Sequence, residues 1–160
     1  MPVQTMETLK ARMKHPVAVH PAALKALLDL GEAVNKSGLP QKTTHMVHLR
    51  ASQINGCSVC VDMHAREMKQ AGDSDEKIFA VAAWRDNPIF DDAERAALGL
   101  TEALTRIEDR AEPVRDEIWN EAARHFDENA LAGLVLAIAG INTWNRLNVA
   151  VRQVVGAWKG

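Results

Sequence analysis

An all-α fold, a bundle of about six to seven helices, is what this sequence of 160 residues predicts. Apolar residues recur at three- and four-residue spacings through nearly every segment, and capping residues or Gly and Pro interruptions separate one segment from the next. No stretch alternates as a half-buried strand would. The composition, 47% hydrophobic and 25% charged, is that of an ordinary globular chain, and a chain of this length buries roughly 70% of the surface its unfolded form exposes. Residues 1–160 are therefore expected to form a single domain, with an N-terminal arm over 1–19 and a core motif over about 40–84.

The arm is interrupted by His15-Pro16 and His20-Pro21. Residues 21–36 carry Leu24, Leu27, Leu28 and Val34 at helical spacing before Gly38 stops the run. Pro40 suits the first position of a second helix, which Met46, Val47, Leu49 and Ile54 continue until Asn55-Gly56. A third helix is expected over 57–71, ending at Ala71-Gly72. Asp73 and Glu76 have capping-box spacing and open a short helix through Ala83. Residues 84–90 read as a loop. Asp91 and Glu94 repeat the capping spacing, with Phe90 as a staple, before a helix to about Asp109. Pro113 starts another helix reaching Phe126, and the last runs from near Asp127 to about Val155, with Gly133 and Gly140 allowing close packing.

Nineteen Lys and Arg against 21 Asp and Glu, interleaved along the chain, leave a formal charge of -2. No basic stripe marks a nucleic-acid surface. The longest apolar stretch, 131–141, is short of the ~20 residues that span a bilayer and reads as a buried helix. The first residues lack the charged and then apolar run of a secretory signal, so a reducing, cytoplasmic setting is expected, where a structural disulfide is uncommon.

Two cysteines with no structural duty stand in Asn55-Gly56-Cys57-Ser58-Val59-Cys60-Val61-Asp62-Met63-His64. At about 100° per residue, with Cys57 as zero, Cys60 falls near -60° and His64 near -20°, so all three share one helix face. The Asn-Gly turn places the cysteines in the first helical turn, where free amides and the helix dipole favour a thiolate. His64, one turn beyond Cys60, can exchange a proton with it. The set suits thiol redox chemistry: one thiolate attacks an oxidant, and the second thiol resolves the sulfenic acid as a Cys57–Cys60 disulfide. Cys60 is assigned the attack, and Cys57, expected at the exposed edge, the resolving role and contact with a reductant. Zinc is the rival use, with Cys57, Cys60 and His64 as ligands and His45 or His48 as a fourth.

The stretch 44–84, with Ser52-Gln53-Ile54-Asn55-Gly56-Cys57, the Cys-x-x-Cys-x-x-x-His element, Ala71-Gly72 and Ala83-Trp84-Arg85, resembles the alkylhydroperoxidase D core of the carboxymuconolactone decarboxylase superfamily. The likeness continues through residues 90–98 and Trp144-Asn145-Arg146-Leu147-Asn148. The resemblance implies an all-helical homo-oligomer, a trimer or hexamer, acting as a peroxidase without cofactor or metal. Its substrate would be a hydroperoxide and its reductant a dithiol or a lipoyl-bearing protein, with the second cysteine attacking and the first resolving. The decarboxylase branch lacks the cysteine pair. The family pattern also has a glutamate twelve residues before the first cysteine; here that position is His45, and no Asp or Glu occurs between Glu32 and Asp62. His45 is the expected partner of His64 in proton transfer. The alternatives are a non-catalytic redox-sensing or zinc-binding oligomer on this scaffold, or a lactone decarboxylase-like enzyme.

Other residues read more simply. His48, on the same face as His45, reads as a surface or interface residue before a wall of the site; Met46, Met63 and Met68 read as core or pocket lining, and Trp84 and Trp144 as core before walls of a substrate or subunit contact. Arg146 is expected to pair with a carboxylate. Glu94, Glu102 and Glu108 are expected on a solvated face.

Overall fold

A computed structural model describes residues 9–157, and the first residues read for a signal sequence lie outside them. Eight α-helices and one 3-10 helix make up the described residues, with no strand. In chain order they are α1 (Pro16–Val19), α2 (Pro21–Asn35), α3 (Gln41–Asn55), α4 (Ser58–Gln70), α5 (Asp75–Ala80), the 3-10 helix Val81–Asp86, α6 (Asp92–Thr105), α7 (Asp116–His125) and α8 (Glu128–Val151).

Helix α3 is the hub, packed against α4, α6 and α8. Its Met46, Val47 and Leu49 are buried with Met68 of α4, Leu98 and Leu100 of α6 and Leu134 and Ile138 of α8. Each such side chain contributes about 1.5–3 kcal/mol on leaving water. Helix α8 is long and apolar enough to cross a membrane by length and composition, and half of its apolar window is buried against the other helices. Gly133 explains how α8 comes so close to the turn after α2. A Cβ there would lie 1.9 Å from Ser37 Oγ, which itself donates to Val34 O at 2.6 Å.

Where helices begin and end differs from expectation in several places: the expected arm holds the short α1, and Pro40 caps α3 instead of opening it. Ser74, not Asp73, caps α5, its side chain accepting from Lys77 N. The chain after α5 tightens into the 3-10 helix instead of opening into a loop, and buried Trp84 anchors that turn. Helix α6 stops at Thr105 and α7 starts only at Asp116, so Pro113 precedes it. Helix α8 ends at Val151, with Arg152 left-handed beyond it. The capping box of α6 forms as expected, with Asp91 and Glu94 each bonded to the other's backbone N–H.

Glu102 is the clear departure from the expected solvated face. It is 3% exposed, because Arg50 from α3, Arg85, Arg106 and the Trp84 indole all reach its carboxylate. Arg146 has no carboxylate partner among the described residues; it donates to the Asn142 carbonyl and side-chain oxygens.

Candidate active site

The turn that carries the cysteines is built by α3 and α8 together. Gly56 caps α3 in the left-handed conformation, φ 67°, which a glycine adopts without Cβ strain. Asn55 Nδ2 donates to the side-chain oxygens of Asn142 and Asn145, both at 2.9 Å, and Asn145 Nδ2 donates to Ser52 Oγ at 3.0 Å. These amides pin the end of α3 beneath α8. Cys57 then caps α4, its Sγ accepting from Cys60 N at 3.3 Å, and the two cysteines are joined as a disulfide with Cα atoms 5.3 Å apart.

Both sulfurs are inside. Cys57 is 2% and Cys60 1% exposed, so Cys57 does not stand at an exposed edge: the amide-pinned turn holds it under α8. Cys60 nevertheless lines a groove of about 850 Å³ between α2, α4 and α8, and Cys57 does not. Leu24, Leu27 and Leu28 of α2 face Ile141 and Trp144 of α8 across it, and His45, His48, His64 and Glu67 lie along it with Cys60.

Glu67, which the sequence reading passed over, is the centre of that cluster. His64 Nδ1 lies 2.7 Å from Glu67 Oε2 in hydrogen-bond geometry. His45 Nδ1 lies 3.2 Å from the same oxygen, at ion-pair distance but without hydrogen-bond geometry. Where the resemblance expects an acid on α3 stands His45, and the carboxylate beside it is Glu67 of α4, three residues past His64. The signal was present in the sequence as the three-residue step from His64 to Glu67, which puts two side chains on one face of a helix. Burial by itself would raise the Glu67 carboxyl; the hydrogen bond from His64 and the charges of His64, His45 and His48 outweigh it and hold Glu67 below the usual carboxylate value.

His48 is a wall of the site and not a surface residue. Its ring centroid is 4.8 Å from that of His64, and the backbone of Ala137 on α8 lies against it. Burial, then the charge of His64, lowers its pKa to about 3, with His45 adding to the effect and Glu67 opposing it. The unfolded chain therefore takes up a proton at His48 near pH 6.5 that the folded chain refuses until about 3. Stability is expected to fall as the pH drops below 6.5, by up to about 1.4 kcal/mol per pH unit from this residue. Buried His15, also lowered, adds in the same direction. Urea unfolding at pH 7, 6 and 5 measures the slope, and His48→Gln should flatten it; an unchanged slope in that variant would assign the proton uptake elsewhere.

Of the other residues singled out, Met46 and Met68 are core, Met63 and Trp144 line the groove, and Trp84 is buried under the Arg85 and Arg95 guanidinium groups. Both sulfurs are taken up in the disulfide, and among the described residues no three His, Cys, Asp or Glu side chains are placed to hold an ion.

With an all-helical bundle and a Cys-x-x-Cys-x-x-x-His helix in view, the chain belongs to the carboxymuconolactone decarboxylase family, whose model matches residues 21–103. Among its relatives are YdfG of Bacillus subtilis (strain 168), uncharacterised, 32% identical over 133 residues covering 83% of this chain and 89% of that one, and YnjA of Escherichia coli (strain K12), also uncharacterised, 34% identical and covering 72% and 62%. The crystal structure of ATU0492 of Agrobacterium tumefaciens, a protein of unknown function and candidate antioxidant defence protein AhpD, is similar over 93% of this chain and all of that one, with 36% identity and a TM-score of 0.85. The debrominase Bmp8 shares the fold at 20% identity and a TM-score of 0.73, over 88% of this chain and 74% of that one.

Proposed function

We propose that this chain is a thiol peroxidase that reduces hydroperoxides at Cys60 and holds the oxidation as the Cys57–Cys60 disulfide. The observation that carries this reading is the buried His64 Nε2, which has no hydrogen-bond partner among the described residues. Because Glu67 only accepts, the neutral His64 ring carries its proton on Nδ1 and Nε2 is left as the open acceptor, on the helix that carries Cys60 one turn earlier. Leaving such a nitrogen open costs about 1–3 kcal/mol. Taking the Cys60 thiol proton satisfies it, and the Glu67 carboxylate stabilises the imidazolium that forms.

The Cys60 thiolate then attacks the terminal oxygen of ROOH. The O–O bond breaks, the sulfur becomes a sulfenic acid, and the alkoxide leaves as ROH with the proton held on His64. The Cys57 thiol displaces the sulfenic oxygen as water, closing the disulfide. Reduction needs an external dithiol, a lipoyl group on a carrier protein being the kind the AhpD resemblance implies. One dithiol sulfur attacks Cys60 from the groove and Cys57 departs as a thiolate, stabilised by the Cys60 N–H that it already accepts. The second dithiol sulfur frees Cys60. A reducing compartment such as the cytoplasm suits this cycle. A trimer or hexamer belongs to the same reading and would cover exposed apolar residues such as Leu28 and Phe79.

The leucines and Trp144 of the groove suit an apolar R group, and among the described residues no lysine or arginine lines it to bind a carboxylate. An uncharged organic hydroperoxide is therefore favoured over hydrogen peroxide or a fatty-acid hydroperoxide. Reduced protein mixed with cumene hydroperoxide is expected to lose two thiols per chain and release one equivalent of alcohol. Glu67→Gln should slow this oxidation by about 100-fold, the scale of general acid–base catalysis. Thiols that survive an excess of every peroxide tried would sink the peroxidase reading.

A further inference from the structure

Helix α8 brings one more polar group to the reactive sulfur. Asn148 Nδ2 lies 3.5 Å from Cys60 Sγ and 3.0 Å from the Trp144 carbonyl oxygen. That carbonyl can only accept, so the NH2 end of the amide is the one that faces Cys60, and its two hydrogens are divided between the carbonyl and the sulfur. The opposite end is fixed as well. His15, 4% exposed, accepts from Val17 N at Nδ1, at 3.3 Å; the neutral ring then carries its proton on Nε2. His15 lies against the Asn148 side chain, which raises its pKa, and with the amide nitrogen turned to Cys60 and Trp144 it is the Asn148 oxygen that is left to face that N–H.

We propose that Asn148 is a catalytic residue that stabilises the Cys60 thiolate by an amide N–H···S⁻ hydrogen bond, with His15 as the positioning residue that locks the amide. The assignment rests on the reading of Cys60 as the working thiolate. A disulfide sulfur is a weak acceptor, whereas a thiolate is a strong one, so the bond strengthens in the state that attacks. Neither proton transfer nor charge is asked of Asn148, and its work is complementary to that of His64. The site thus draws on α3, α4 and α8, and through His15 on the segment before α1. Among the described residues, the titratable groups lining the groove with Cys60 are His15, His45, His48 and His64 and the carboxylates of Glu32, Asp62 and Glu67; of these only His15 is raised by Asn148, and the His15→Ala variant reads that contribution separately.

The test is the pH dependence of Cys60 alkylation by iodoacetamide in the reduced protein, read by peptide mass spectrometry and needing no peroxide turnover. Asn148→Ala is expected to raise the midpoint by about one unit, so that alkylation well below the midpoint slows about tenfold. Asn148→Asp keeps the shape, serves if the alanine variant fails to fold, and should raise the midpoint at least as far, since a carboxylate replaces the donor. His15→Ala should give a smaller shift of the same sign. A midpoint unchanged in both Asn148 variants, each folded by circular dichroism, overturns the assignment. A raised midpoint in a protein whose wild type ignores every peroxide would instead support Asn148 and reject only the peroxidase reading.

Discussion

Cys60→Ser protein is expected to show no thiol oxidation coupled to alcohol formation, whereas Cys57→Ser protein consumes one equivalent of hydroperoxide per chain and stops at a sulfenic acid that dimedone traps. The asymmetry follows from placement, since the two sulfurs are equally buried. Cys60 opens onto the groove, accepts from Asn148 and is one turn before His64. Cys57 is turned toward the start of α4, where its sulfur receives the Cys60 N–H. That bond makes Cys57 a good leaving thiolate when the disulfide is reduced, because a leaving thiol of lowered pKa departs faster. It gives the peroxide no path to Cys57. A serine hydroxyl at position 60 lacks the ionisable sulfur on which attack depends, so loss of activity is expected to be complete in steady state. Cys57→Ser loses only turnover, keeping the first oxidation. If the trapped sulfenic acid were found on Cys57 in the Cys60→Ser variant, the two roles would be reversed.

How much of this was legible in the sequence depended on the range of the interaction. The start of α6 is written in Asp91 and Glu94, and the breaks at Gly38 and Asn55-Gly56 are local chemistry, so those elements were read where they stand. The shared face of Cys57, Cys60 and His64 was equally local, since all three belong to one helix and the turn that opens it. Glu67 is within the same reach, but the family pattern points to α3 for the acid, where His45 stands. The roles of Asn142, Asn145 and Asn148 were out of reach: their partners are Asn55, Ser52 and Cys60, some 90 residues earlier in the chain. An asparagine on an apolar helix carries no sign of what it will face. His48 was misread for a related reason. A histidine one turn after another looks like a surface pair until α8 supplies Ala137 and α4 supplies His64 against it.

Glu102 shows the same limit in energetic form, and its removal is expected to cost more stability than any other single change to a charged residue here. Its Oε1 accepts from Arg50 Nε at 2.8 Å and Trp84 Nε1 at 2.9 Å, with Arg50 Nη2 at 2.7 Å; its Oε2 lies 2.6 Å from Arg85 Nη1 and 3.4 Å from Arg106 Nη1. Burial would raise this carboxyl, but the hydrogen bonds from Trp84 and Arg50, the Arg85 guanidinium beside Oε2 and the charge of Arg50 hold it below its usual value. The group is therefore an anion at neutral pH, and its contribution is lost only as the pH falls through that lowered value. Glu102→Leu leaves the Arg50 guanidinium, itself 8% exposed, without its counter-charge. Breaking a buried pair in this way costs about 3–5 kcal/mol, to be read as a lowered midpoint in urea unfolding at pH 7. The cost belongs to the stranded cation and not to a missing attraction, so Arg50→Met combined with Glu102→Leu should recover much of the loss. A double variant no more stable than Glu102→Leu alone would instead place the cost with Trp84 and Arg85, whose indole N–H and guanidinium would then be the groups that need the carboxylate.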